Sequence, residues 1–357
     1  MKKLLIVTTA LAGVSAAAQA GELNVVSWGG AYTVSQVEAY HKPFTAMTGV
    51  KINSIDADNP ATPLKAQAEA GNVTIDLADV ELSDAIKMCD EGLLEPIDPA
   101  TLPAAPDGTP ATEDFVPGAI QDCAVASIVW ATVIAYDKTK VGDVMPTTVA
   151  DFFDTTKYPG KRGMLKAAKR TLELALYADG VAPDQIYEVL GTDEGVKRAL
   201  AKLDTIKKDI VWWEAGAQPP QLLADGEVVM TNGYNGRFFA AEVAEGKPFG
   251  TVWDGSYMDY DLWVIPKGAP NLEDAKKFLA FSTDTQRLAD QAKWISYGPA
   301  RKSSNALVGL YQDGKTEMAP YMPTSPENMK APIWTDPTFW ADHDTELNEK
   351  FNAWLAG

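Results

Sequence analysis

The chain has 357 residues, 46% of them apolar, with 31 Lys and Arg against 49 Asp and Glu. That balance supports a packed core of two domains or lobes and excludes disorder as the main state. A net charge of -18 excludes a broad DNA, RNA or anionic-lipid surface, because phosphate binding depends on clustered basic groups.

Residues 1–20 read as a cleavable signal peptide. Lys2 and Lys3 form the basic start, Leu4 to Ala18 an apolar stretch, and Ala18-Gln19-Ala20 the small residues of a cleavage site. The apolar run is shorter than the roughly 20 residues a membrane-spanning helix needs. Without Lys2 and Lys3 the 31 basic residues become 29 against 49 acidic, so the mature chain carries -20. Export to an oxidising compartment predicts a disulfide between Cys89 and Cys123, the two cysteines of the chain.

Taken in order, the mature chain alternates strand and helix patterns. Leu23 to Ser27 reads as a buried strand, Val34 to Met47 as an amphipathic helix and Val50 to Ile55 as a strand. A helix over Pro63 to Ala70, a strand over Ile75 to Val80 and a helix from Leu82 to Leu94 follow. This βαβαβ order implies a mostly parallel sheet flanked by helices, with ligands beyond the strand ends. Glu95 to Pro117, rich in Pro and Ala, reads as a surface loop. Ala124 to Tyr136 is a β-favouring run long enough to cross between lobes. A second lobe alternates helices at Thr147 to Phe153, Leu172 to Tyr177, Pro183 to Leu190 and Asp193 to Ile206 with strands at Gly163 to Leu165, Ile210 to Trp213 and Val228 to Thr231. Tyr257 to Ile265 is the return crossing, and Asn271 to Ala292 is helical again. The expected organisation is lobe 1 over 21–133 and 262–305, lobe 2 over 134–261, and a C-terminal helical segment over 306–357 packing across both. Two interleaved lobes joined by hinge crossings describe a cleft that closes on a small ligand.

Catalytic signatures are missing from the sequence. It has no GxSxG elbow, HExxH, P-loop or GxGxxG after a strand. Its two histidines, His41 and His343, sit in surface-like charged or aromatic contexts, and neither a metal site nor a cofactor is expected. An exported enzyme ranks below a binding protein.

Four segments place aromatic and charged residues where a cleft would be. Trp28-Gly29-Gly30-Ala31-Tyr32 follows the first strand; glycines admit a ligand and helix N–H groups favour an anion, the alternative being a tight turn with Trp28 in the core. Asp79 to Ser83 ends the third strand, where Glu81 and Ser83 can face the cleft and Ser83 or Asp84 can equally cap the next helix. Tyr234-Asn235-Gly236-Arg237 offers a guanidinium suited to bidentate grip on a carboxylate, though a lone Arg also serves as a surface ion pair. Asp259 and Asp261 lie on one strand face, either able to accept an ammonium, and Tyr297 adds an aromatic.

Together, Val25 to Tyr32, Asp76-Leu77-Ala78-Asp79, Val211 to Gln218, Asn235-Gly236-Arg237, Asp261 to Pro266 and Tyr297-Gly298-Pro299 resemble the periplasmic substrate-binding proteins of the polyamine and γ-aminobutyrate ABC-transporter family. The resemblance implies an α/β, two-lobed periplasmic-binding-protein fold of type II, a periplasmic location, a monomer, and delivery of a small molecule to a membrane permease. It places Trp28 and Tyr234 at aromatic positions, Asp261 at a carboxylate position, and Arg237 at the carboxylate-gripping Arg of the γ-aminobutyrate branch. The expected ligand is a small carboxylate-containing amine, with Arg237 on its anion, Asp261 or Asp259 on its ammonium, and Trp28, Tyr32, Tyr234, Trp213 and Tyr297 along its middle. A polyamine or a small dicarboxylate is the alternative ligand. Lys166, Lys169 and Arg170 stand where polyamine binders are acidic; they read as a solvated helix start, with a role toward an anionic ligand as the alternative.

Overall fold

Strand and helix periodicities that alternate along the chain build one mixed sheet in the computed structural model, which describes residues 21–357. Residues 1–20, the expected signal peptide, lie outside the described residues. The strands are β1 (Glu22–Ser27), β2 (Lys51–Asp56), β3 (Leu77–Glu81), β4 (Ile120–Gln121), β5 (Ala124–Asp137), β6 (Arg162–Leu165), β7 (Ile210–Trp213), β8 (Met230–Tyr234), β9 (Phe249–Val264), β10 (Gly298–Pro299) and β11 (Ile333–Trp334). Their order is β2-β1-β3-β9-β5-β8-β6-β7, with β4 and β10 paired to β5 and β11 to β9.

The pairing explains how the site is placed. At one end β1 runs parallel to β2 and β3, and at the other β6 runs parallel to β7 and β8. Between them the long strands β5 and β9 pair antiparallel from Ala124↔Val264 to Asp137↔Phe249. Every residue of β5 is buried, as expected of a Val, Ile and Ala run covered on both faces. One apolar cluster packs Leu23, Tyr40, Phe44, Leu77, Trp263 and Phe278 around the β1–β3 end. A second packs Met164, Leu172, Leu176, Leu203, Met230 and Trp340 around the β6–β8 end. Strands β5 and β9 feed both clusters and carry side chains into the gap between them.

Several elements differ from the sequence reading. The return crossing begins at Phe249, because the glycines and polar residues of that stretch still pair with the far half of β5. Residues 306–332 are mostly irregular, interrupted by Pro320, Pro323, Pro326 and Pro332, and the terminal helix is Pro337–Ala356, capped by Asp336 accepting the Phe339 N–H. That helix reaches the Leu82–Asp90 helix on one side, while its Trp340 donates to Glu173 on the other at 2.8 Å. His41 is buried, with its ring against Phe278 and neither nitrogen hydrogen-bonded, and burial lowers its pKa to about 4. The Tyr40-His41-Lys42 context misled because the helix turns His41 inward. Cys89 and Cys123 are bonded, tying the Leu82–Asp90 helix to the segment before β5. Among the described residues no helix is long and apolar enough to cross a membrane.

Candidate ligand-binding site

The end of β1 starts the site. Gly29 (φ 72) and Gly30 (φ 60) take left-handed backbone that glycine adopts without strain. A β-carbon on Gly30 would lie 2.9 Å from Arg237 Nη1, so the missing side chain is what lets the guanidinium in. Arg237 Nη2 donates to the Trp28 carbonyl at 3.0 Å. The Gly29 N–H donates to Thr33 Oγ1 at 2.9 Å, so this turn spends that donor internally.

Asp79 on β3 orients the neighbouring aromatic wall. Its carboxylate accepts from Trp28 Nε1 (3.1 Å), Tyr32 Oη (2.9 Å) and Gln36 Nε2 (2.8 Å). Burial outweighs these donors and pushes its pKa up to about 7. Tyr32 then meets Tyr297 edge-on at 5.3 Å, and Trp130 meets Tyr234 edge-on at 5.3 Å. These rings border a small chamber lined by Trp28, Tyr32, Glu81, Trp130, Tyr234, Arg237, Asp261 and Tyr297. Trp28 and Tyr234 also line two wider clefts, so they stand between the chamber and its approaches.

The charged groups divide into committed and uncommitted ones. Glu81 is committed: Oε2 accepts from Lys169 Nζ at 2.9 Å and Oε1 from Arg170 Nη1 at 2.5 Å. Burial favours its protonation, but Arg170 and Lys169 together override that and hold its pKa at about 2. Lys169 also donates to Ser83 Oγ (3.0 Å) and lies 3.4 Å from Asp259 Oδ2. Burial raises Asp259 to about 6, with Lys169 opposing. Asp261 accepts one bond, from Trp130 Nε1 at 3.0 Å, which leaves its second oxygen for the chamber it lines. Burial first, then Asp79, Glu81 and Asp259, push its pKa well above the usual carboxylate range. An ammonium arriving beside it would stabilise the ionised form. Among the described residues Arg237 forms no ion pair, so it and Asp261 are the cation and the acceptor that line the chamber without a charged partner.

Of the residues singled out in the sequence, Trp28, Tyr32, Glu81, Tyr234, Arg237, Asp261 and Tyr297 meet in the chamber wall. Four do not. Gly30 lies in an outer cleft beneath Arg237, and Ser83 lines the other cleft, holding Lys169. Trp213 packs behind Tyr234 at 6.1 Å with its indole N–H on Asn232 Oδ1, and Asp259 is fully buried against Lys169. The solvated reading holds for Lys166, which pairs with exposed Glu214, and fails for Lys169 and Arg170. Arg170 takes φ 74, turning the chain inward, and its N–H donates to the buried Glu173 at 2.7 Å. Sequence reasoning missed Trp130, hidden in an apolar run. Its one signal is a large ring with a polar N–H midway along a crossing strand. Among the described residues no group of three or more His, Cys, Asp or Glu is placed to hold a metal.

Comparison with known proteins agrees with this architecture. Residues 39–324 match the family described as bacterial extracellular solute-binding protein. The chain is 44% identical over 342 residues to the gamma-aminobutyric acid-binding protein of Pseudomonas aeruginosa, covering 96% of this chain and 93% of that protein. The solved structure of a GABA receptor is 34% identical with a TM-score of 0.79, covering 94% of this chain and 98% of its own. An ABC-transporter substrate-binding protein from Bradyrhizobium japonicum is 30% identical with a TM-score of 0.82, covering 94% and 99%. The fold is therefore the two-lobed α/β type II arrangement of periplasmic binding proteins, and relatives of this kind bind solutes and do not transform them. This chain belongs to the bacterial extracellular solute-binding proteins.

Proposed function

We propose that the chain is the monomeric, periplasmic ligand-capturing component of an ABC importer, released after residue 20, and that it binds a γ-aminobutyrate-like zwitterion. Lobe 1 (21–133 and 262–305) and lobe 2 (134–261) close on the ligand, and the closed form docks on the permease. The observation that carries this reading is the pairing of one uncommitted guanidinium, Arg237, with one carboxylate holding a free oxygen, Asp261, in a single aromatic chamber. A ligand with one carboxylate, one ammonium and a short apolar middle satisfies both without burying an unpaired charge. Two relatives, a gamma-aminobutyric acid-binding protein and a GABA receptor, support the same ligand class. A dicarboxylate would need a second free cation and a polyamine a second free carboxylate, while Lys169, Arg170 and Glu81 are engaged with one another.

The test is a thermal-shift and calorimetric titration of the mature protein with γ-aminobutyrate, putrescine and succinate. Ligand at 100 times its dissociation constant adds about 2.7 kcal/mol to native stability, enough to raise Tm measurably. The expected result is a rise with γ-aminobutyrate alone. A larger rise with putrescine or succinate overturns the zwitterion reading.

A further inference from the structure

We infer that Lys169 and Arg170 are specificity-determining residues that restrict the ligand to a single ammonium group, by occupying the carboxylate of Glu81. The inference rests on the zwitterion reading above and extends it to a pair of residues outside the chamber wall.

The register of β3 on β9 makes Glu81 and Asp261 direct partners. Side chains opposite each other on such a ladder have β-carbons about 4.5–5.5 Å apart, and like charges there repel. Both residues line the chamber. Left alone, they would form a doubly acidic patch that attracts cations with more than one ammonium. Lys169 Nζ and Arg170 Nη1 each hold one Glu81 oxygen, so two cations offset the single Glu81 charge and Asp261 remains as the chamber's ammonium partner.

The turn that carries the two cations is held from several sides. Arg170 is the one non-glycine with left-handed φ among the described residues, a conformation that persists only where surrounding contacts impose it. Glu173 accepts its N–H while also accepting the indole N–H of Trp340 from the terminal helix. The guanidinium lies over the rings of Trp130 at 5.5 Å and Tyr234 at 5.7 Å, both chamber walls. Lys169 is held by Ser83 and faces Asp259. A strained, multiply braced pair of cations that neutralises one of two adjacent carboxylates is a device for rejecting wrong ligands as well as for stabilising the right one.

The experiment compares wild type, Lys169→Met/Arg170→Met, and Lys169→Met/Arg170→Met/Glu81→Gln by calorimetric titration with putrescine and γ-aminobutyrate, with circular dichroism and Tm to establish folding. Freeing Glu81 supplies a charged acceptor for a second ammonium, so the double variant should bind putrescine about ten- to a hundredfold more tightly than wild type. The triple variant, with no charge at 81, should show no such gain in putrescine affinity. The inference is overturned if a folded double variant gains no putrescine affinity, if the triple variant gains as much, or if wild type already prefers putrescine. It is also overturned if the triple variant loses γ-aminobutyrate by more than about a hundredfold, because Lys169 or Arg170 would then grip the ligand carboxylate directly. Should the double variant not fold, Arg170→Met alone, which keeps the Lys169 pairs, is titrated; a smaller putrescine gain is expected and none overturns the inference. Wild type that binds no γ-aminobutyrate sinks the ligand assignment, while the putrescine comparison between double and triple variants still decides the role of the two cations.

Discussion

Glu81 and Asp261 stand directly across the β3–β9 ladder, yet one is pulled down to a pKa of about 2 and the other is pushed well above the usual carboxylate range. The difference lies in their partners: two cations on Glu81, one indole N–H on Asp261. Binding of an ammonium ligand should therefore ionise Asp261 and release a proton wherever the pH is below its raised value, and affinity should fall as the pH falls through that range. Asp261→Asn should lose about ten- to a hundredfold in affinity and abolish that proton release. Calorimetry in buffers of different ionisation enthalpy measures both, and an unchanged proton count in the variant would assign the titration to Asp79 or Asp259 instead.

Glu81→Gln should destabilise the protein at pH 7 by about 3 kcal/mol, because it leaves Lys169 and Arg170 buried with Asp259 as their remaining close counter-charge. The sign with pH follows from the lowered value. Glu81 contributes its full stability above its unfolded pKa of 4.5 and loses it as the pH falls toward about 2. Asp79 and Glu173, raised to about 7, and Asp259, raised to about 6, act the other way, their contributions declining as the pH rises through those values. The gap between wild type and variant in urea denaturation should thus be constant near neutrality and close as the pH falls below 4.5. A gap that does not change over that interval would show that Glu81 stabilises by packing and not by charge.

Much of the site was legible because it sits at the ends of regular elements. Trp28, Tyr234 and Asp261 follow or end strands whose periodicity marked them, and the strand-face argument put Asp259 and Asp261 on one side. What hid the rest was conformation and depth. Nothing in Lys166 to Thr171 signals a left-handed Arg, since no glycine marks the turn, and so two buried cations read as solvated. Trp130 lies inside an apolar run where a chamber-lining ring looks the same as a core ring. The separation of Asp259 from the chamber depends on Lys169 reaching it, a contact between residues 90 positions apart that no local pattern encodes. The irregular stretch before the terminal helix is marked in the sequence by Pro320, Pro323, Pro326 and Pro332, which break the helix expected over 306–357.

Gly216→Ala should weaken ligand binding about tenfold or more while leaving the fold intact, since it acts on both sides of the chamber entrance at once. A β-carbon there would lie 2.8 Å from the Tyr234 ring and 3.1 Å from Arg237 Nε. Both groups must shift by several tenths of an ångström, and Arg237 would no longer hold its bond to the Trp28 carbonyl in the same geometry. Titration alongside circular dichroism checks this, and wild-type affinity in the variant would mean that Arg237 does not need its present position.

Removing the Cys89–Cys123 bond should lower stability and leave affinity alone. The bridge closes a 34-residue loop, which on the chain-entropy model is worth about 3 to 4 kcal/mol. It joins the far end of the Leu82–Asp90 helix to the segment entering β5, whereas Glu81 and Ser83 lie at that helix's start. A Cys89→Ser/Cys123→Ser variant should therefore show a lower Tm and an unchanged γ-aminobutyrate dissociation constant, measured at a temperature where both proteins are folded. An affinity loss at that temperature would mean that the bridge also sets the angle of the helix, and through it the position of Glu81 against Lys169 and Arg170.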